Sequence, residues 1–326
     1  MKAADIIQRR EIEWAKLEGM CEAISQRKSR QNAQLVNEFA ALYRNACADL
    51  ALASANQFPP GTVDYLHSLV AKAHNQLYRS RAFQLTEILM MVFHDTPRRI
   101  FSDPCVHVAG LIFWGLFGIS AWLSYEGSVW PNFASGVMGD EALQQMETTF
   151  EDFEGRTFSE NMFMAAFYVF NNAGIGLRVF VSMLPILPGL ILLGSNAVQL
   201  GAAFGHMLSP DSGIAGDNFK NFVTAHGPFE LTAIVLSAGA GLRIGISWLA
   251  TNNLRRLDSL QVNAKKSMPI ALCAVAFFFI AAFIEGFISP APETMIPWFV
   301  KAAIAVLSSG LMMFYFVILG YPWRRR

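Results

Sequence analysis

The chain has 326 residues, of which 53% are hydrophobic and only 15% charged, against roughly 25% charged residues in ordinary soluble domains. Together with 27 phenylalanines, that composition places it among membrane proteins. The formal net charge is zero, so charge gives no argument for a nucleic-acid partner, and the information lies in where the charges fall.

The chain opens with MKAADIIQRREIEW. This stretch has no continuous apolar core and is not expected to be a cleavable signal peptide. Residues 1–104 read as a separate cytoplasmic domain of amphipathic helices. Apolar residues recur at helical spacing in Ile12, Leu17, Met20 and Ile24, then in Leu35, Phe39, Leu42, Ala46 and Leu50, and again in Val63, Leu66, Val70, Ala73 and Leu77. The FPPG at 58–61 separates the second helix from the third, because consecutive prolines end a helix while proline suits the first turn of the next. A fourth stretch, 82–101, is expected to lie along the membrane surface. There is no nucleotide-binding loop, internal repeat or low-complexity tract, so the domain reads as a docking or support module.

Crossing the hydrocarbon core takes about 20 apolar residues. Six windows meet that length, near 105–125, 161–183, 186–207, 223–249, 269–289 and 298–320. The second and third are expected to join through a tight turn at Pro185 and Pro188. Short basic loops stay cytoplasmic. Arg98 and Arg99, then Arg255, Arg256, Lys265 and Lys266, then Arg324 to Arg326 all fall on one side of a six-span count. Segment 126–160 carries Glu126, Asp140, Glu141, Glu147, Glu151, Asp152, Glu154 and Glu160 against Arg156 alone, which suits the outer face. The expected fold is therefore all-α: a polytopic transmembrane helix bundle of about six spans in the inner, cytoplasmic membrane, with an N-terminal cytoplasmic helical domain. It would have an acidic extracytoplasmic loop at 126–160, a basic cytoplasmic tail at 321–326 and both termini inside. Cys21, Cys47, Cys105 and Cys273 then sit in or near a reducing compartment as free thiols, with no metal-type spacing among them.

One span raises the functional question. In AHGPFELTAIVLSAGAGLRIG (225–245), otherwise built of apolar and small residues, His226 and Glu230 stand near one end and Arg243 near the other. At 100° per residue, Glu230, Ser237, Gly241 and Gly245 share a stripe, joined by His226 if the helix already exists there. The spacing of Ser237, Gly241 and Gly245 lets another helix approach closely, which turns Glu230 into the protein interior. The fifth span repeats the device, with Ala274, Ala281, Ala282 and Glu285 on one face. Ionisable groups inside a membrane cost about 2.5–3.5 kcal/mol on insertion scales and face the bundle interior. The candidate polar core is His226, Glu230, Glu285, Asn172, Arg178 and Arg243. Arg243 lies about 140° around and about 20 Å along the helix from Glu230 and cannot pair with it; snorkelling to the headgroups is its alternative reading. His226 has the alternative of lying just outside the helix and merely capping the interface, and Lys301 and His206 read as interfacial. Glu230 and Glu285 are expected to meet at matched depth and share a site with His226, with no basic residue in the outer halves of the spans to neutralise them.

The run HGPFELTAIVLSAGAGLRIG, with AAFIEGFISP about forty residues on and the Asn172-containing span before it, is similar to the stage II sporulation protein M family of bacterial and archaeal membrane proteins. The resemblance implies a multi-span helical fold with a cytoplasmic N-terminal region. It also implies action in a membrane complex with cell-wall hydrolases, as the sporulation member of the family does during engulfment. On that basis the chain is expected to be a scaffold or accessory subunit of an envelope-remodelling assembly. Its expected partners are lipid and other envelope membrane proteins, cell-wall hydrolases among them, with a homo-oligomer left open. The alternative is a proton- or cation-coupled transporter or a lipid-handling protein. Two carboxylates close together in low dielectric cannot both ionise cheaply, so one would hold a proton or both would bind a cation. No HExxH, nucleophile elbow or Ser/Lys pair is present, so no catalytic residue and no cofactor are expected, and an intramembrane hydrolase ranks last.

Overall fold

The computed structural model describes residues 3–26, 33–56, 58–77, 85–151 and 156–322, which fall into two compact units, Met1–Gln84 and Leu85–Arg326. The first unit therefore ends some twenty residues before the expected boundary at 104. The segment beyond Leu85 belongs to the bundle because it packs there.

The first unit is three helices, α1 (Ala3–Gln26), α2 (Ala33–Ala55) and α3 (Pro60–Leu77). Trp14, Leu17 and Cys21 from α1, Phe39, Ala46 and Ala53 from α2, and Leu66, Leu69 and Ala73 from α3 make its core. The stripe on α1 runs through Trp14 rather than Ile12, which is 77% exposed. The indole decides this, because it fills the core while its Nε1 donates to buried Asp49 at 2.9 Å, so its one polar group costs nothing inside. The end of α1, Ile24 included, lies outside the residues whose side chains are described.

The second unit begins with α4 (Leu85–Met90), a π turn (Met91–Asp95) and α5 (Thr96–Ser102). Among the described residues six helices are long and apolar enough to cross a membrane. They are α6 (Pro104–Glu126), α9 (Phe158–Ser182), α10 (Leu187–Leu208), α12 (Gly227–Leu249), α13 (Arg256–Phe287), and α14 (Trp298–Met313) with the π turn Phe314–Ile318 that continues it. The protein is an all-helical, multi-pass membrane protein. Between spans lie α7 (Phe133–Met138), α8 (Asp140–Glu151) and α11 (Gly213–Val223), so the acidic segment expected as a loop is largely helical. Asp152 and Glu154 from that segment, and the arginines at 324–326, lie outside the described residues.

Local chemistry explains the helix ends. Asp103 accepts from the Cys105 amide at 3.0 Å and Pro104 follows it, so α6 starts with a side-chain cap and a proline in its first turn. Thr157 and Glu160 form a reciprocal capping box on α9. Between α9 and α10 the expected tight turn is a γ-turn at Ile186 (φ 63°), where Leu187 donates to the Pro185 carbonyl at 2.8 Å. That region is costly for a β-branched residue. The helix that carries the fifth span starts at Arg256, ahead of the apolar window near 269–289. Pro269 sits inside α13 and sacrifices one backbone bond, so Lys265 and Lys266 ride on the helix rather than in a loop.

At the centre stands α12, two thirds of whose apolar window is buried against 17–33% for the other spans. It packs against α13, α6 and α9. Gly239 faces α6, where an added Cβ would stand 2.7 Å from the Val106 Cα. Gly241 and Gly245 face the end of α9, where added Cβ atoms would lie 2.4 Å from the Phe180 carbonyl oxygen and 2.2 Å from that of Met183. Ser237 also faces α9, its Oγ 3.1 Å from where a Cβ on Gly176 would be.

Candidate functional site

His226 immediately precedes α12, and Glu230 follows one turn later, so helical spacing puts both on one side. Glu285 lies in the last turn of α13, which packs against α12. A donor atom from each of the three lies within 4.8 Å of the other two. His226 and Glu285 are 4% and 8% exposed, and the Glu230 side chain is partly covered.

Each group has a distinct setting. His226 lies just outside α12, at its N-cap position, and its ring makes no bond to a helix amide. Its Nδ1 sits 2.8 Å from the Ser289 Oγ. Its Nε2 is 3.8 Å from a Glu230 oxygen, too far for a hydrogen bond. Glu285 accepts from the Asn172 amide at 2.9 Å, and Asn172 accepts from Asn171 at 3.0 Å. Among the described residues the Glu230 carboxylate accepts no hydrogen bond. An imidazole and two carboxylates at this spacing form a donor set that could hold a metal ion.

The expected core of six residues is divided by the structure. His226, Glu230, Glu285 and Asn172 come together. Arg243 lies toward the other end of α12, where it donates to buried Asp103 and to Asn263 at 3.1 Å; it is an internal tie and does not snorkel. Arg178 is exposed, within the last turns of α9, and its Nε donates back to the Gly174 carbonyl at 3.2 Å. It is outside any polar core, and the snorkelling first considered for Arg243 describes Arg178 better.

The cations near the site also differ from expectation. Lys301 is fully buried, and its Nζ donates to the Ser289 and Ala291 carbonyls at 2.8 and 2.9 Å. Near the start of α14, it therefore fixes the residue that holds the imidazole. Arg156 donates to the Tyr168 hydroxyl at 3.2 Å. His206 bonds Glu147 of α8 at 2.6 Å. Lys301 and Ser289 escaped sequence reasoning because their roles depend on how the α13–α14 connection folds back, which no helical period encodes. Asp103 left a signal in the Asp-Pro pair that opens α6.

A family profile described as stage II sporulation protein M matches residues 108–290, more than half of the chain. The chain belongs to the stage II sporulation protein M family. The match spans the second unit from the first turns of α6 past Ser289, so every residue of the His226, Glu230, Glu285 and Asn172 cluster lies within it. A second profile, described as a domain of unknown function (DUF8413), matches residues 4–79 and coincides with the three-helix unit. No curated protein and no solved structure shows a significant match.

Proposed function

We propose that this family member is a scaffold or accessory subunit of a cell-envelope complex, of the peptidoglycan-remodelling kind in which sporulation proteins act. It would lie in the cytoplasmic membrane with both termini inside, and would not itself be an enzyme. Support comes from the α8 platform. Leu143 is buried, Phe150 packs edge-on against Phe219 and Phe222, and the Asn218 side-chain amide donates to the Phe150 carbonyl at 2.7 Å. The helix is thereby fixed to α11 while Asp140, Glu141, Gln144, Gln145 and Glu151 stay exposed. A rigid acidic face of this kind suits docking of a basic partner domain. The opposite charge gathers elsewhere, with Arg99 reaching the Lys266 carbonyl at 3.5 Å, as the positive-inside rule asks of a cytoplasmic end.

Photocrosslinking tests this reading. A benzoylphenylalanine at Gln144 or Gln145 should capture an envelope protein in living cells, and Asp140→Lys with Glu141→Lys should abolish the capture. Crosslinks to lipid alone would overturn it.

A proton- or cation-coupled carrier or a lipid-handling protein is the second reading. It is favoured by the buried carboxylates and by a cleft of about 980 Å³ lined by apolar side chains, among them Leu111, Trp114, Leu231, Val235 and Met312. Under that reading Glu230→Gln and Glu285→Gln abolish activity while assembly survives. A scaffold keeps its partner in both variants.

A further inference from the structure

We propose that His226, Glu230 and Glu285 form a binding site for a first-row divalent transition metal ion, zinc foremost, that clasps the start of α12 to the end of α13. The proposal stands apart from the scaffold and carrier readings, since it concerns only what these three side chains hold.

Ligand atoms about 2.1 Å from a tetrahedral ion stand about 3.4 Å apart. The observed spread, all within 4.8 Å with the His226 Nε2 at 3.8 Å from Glu230, closes to that with small rotations of the two glutamate side chains and no movement of the helices. The donor types select the metal. Calcium and magnesium take oxygen ligands, whereas imidazole with carboxylate suits zinc and its neighbours. The orientation of the imidazole matters as much. The tautomer in which Nδ1 carries the ring hydrogen, facing Ser289, is the one that directs the Nε2 lone pair toward the carboxylates. This nitrogen belongs to a nearly fully buried side chain and stands 3.8 Å from a Glu230 oxygen, within reach of an ion held between them. A structure meant only to pair histidine with glutamate would put a proton between them at hydrogen-bond distance.

The surrounding residues hold His226 and Glu285 by hydrogen bonds, as the outer partners of metal ligands do elsewhere. Ser289 holds the ring, Lys301 holds Ser289 through its carbonyl, and Asn172 occupies one oxygen of Glu285 and leaves the other for the ion. Charge also balances, because a divalent cation neutralises two carboxylates that would otherwise repel each other away from water. A route for the ion exists as well. A cavity of about 540 Å³, walled by Asp217, Asn221 and Glu293, begins at Ser289 and Phe222, the residues against the imidazole. Three protein ligands leave room in the shell for water or a ligand oxygen.

The test is metal analysis of the untagged, full-length chain purified in detergent and dialysed against Zn²⁺, joined to zinc-edge X-ray absorption. One ion per chain is expected, with a nitrogen and at least two oxygens at about 2.0–2.2 Å. His226→Ala and Glu285→Gln should emerge without zinc, and Glu293→Gln on the cavity wall should keep it. Ser289→Ala should weaken zinc binding about 10–100-fold. A wild-type chain that takes up no zinc, or one whose absorption spectrum lacks the outer-shell scattering of an imidazole ring, overturns the proposal even if the ligand variants fail to fold. Retention of stoichiometric zinc by Glu285→Gln overturns it equally.

Discussion

Replacing Gly241 by alanine tests how tightly α12 is seated. An alanine Cβ there would lie 2.4 Å from the Phe180 carbonyl oxygen and 2.9 Å from the Met183 Cβ, while carbon and carbonyl oxygen ordinarily stay about 3.3 Å or more apart. The end of α9 must therefore retreat by about 1 Å, and overpacking of that kind costs roughly 1–3 kcal/mol. Opposing it is the helix preference of alanine over glycine, about 0.5–1 kcal/mol. Gly115 of α6 provides the control, because nothing lies within 4 Å of a Cβ added there. Gly115→Ala should thus be stabilising and Gly241→Ala destabilising. The preference term is common to both, so their difference isolates the packing cost of about 1–3 kcal/mol. Equilibrium unfolding in mixed micelles, followed through the seven tryptophans, measures it. Gly245→Ala should behave like Gly241→Ala, since its Cβ would meet the Met183 carbonyl oxygen at 2.2 Å. The double variant should cost less than the sum, because both press on Met183. Equal stability of Gly241→Ala and Gly115→Ala would refute the close approach of α9 to α12.

A cysteine at Ser135, in a background without the four native ones, should react with a membrane-impermeant thiol reagent in intact cells while one at Asn253 should not; labelling at 253 alone inverts the proposed orientation. Asp103→Ala should destabilise the bundle by about 3–5 kcal/mol by stranding the Arg243 charge. Adding Arg243→Met should restore part of the loss in a double-mutant cycle, and strictly additive costs would deny the pairing. Burial and the hydrogen bond to Glu18 push the Tyr65 phenol from its ordinary 10.0 up to about 12. A raised value means that the neutral phenol favours folding, so its contribution is complete below pH 10 and is lost as pH rises through about 12. Urea titrations read through Trp14, whose ring lies 6.3 Å from that of Tyr65, should show this loss in the native chain and not in Tyr65→Phe; identical profiles would exclude the phenol as its source.

How much of this was legible depended on the range of the interaction. The six spans follow from run length, and the Glu230, Ser237, Gly241, Gly245 stripe from the helical period, because both are properties of a single helix. Placing Glu285 beside Glu230 needed only that two small-residue faces meet. Arg178 and Arg243 looked alike in sequence, each an arginine in an apolar run, yet one is exposed and the other tied to Asp103 and Asn263. What separates them is which face α6 and α13 cover, and no periodicity in α9 or α12 contains that. Ile12 and Trp14 make the same point in the first unit: both are apolar, and the indole is buried because a partner for its N–H waits on α2.

Polar ties hold α12 toward both ends, with Arg243, Asp103 and Asn263 at one and the His226 cluster at the other, while its glycines press against α6 and α9 between them. By contrast, α14 is the least enclosed span, with 17% of its apolar window buried. Among the described residues, few polar side-chain bonds join it to the rest of the bundle. Lys301 donates to Ser289 and Ala291, Trp298 donates to Thr224 at 3.3 Å, and beyond the helix Tyr315 in the π turn donates to the Val92 carbonyl at 2.5 Å. Lys301 alone among these also touches the residue that orients His226. Lys301→Met keeps the length of the side chain but leaves the buried Ser289 carbonyl without its donor, at roughly 1–3 kcal/mol, and frees the half-buried Ala291 carbonyl as well. The connection between α13 and α14 should then loosen together with α14 itself. A spin label at Val306, which is 72% exposed and a turn beyond Lys301, should gain mobility in Lys301→Met, whereas the same label at Leu111 of α6, 77% exposed, should not change. Equal spectra at Val306 with and without the lysine would mean that apolar contacts alone seat α14, and that Lys301 serves only to satisfy the loop.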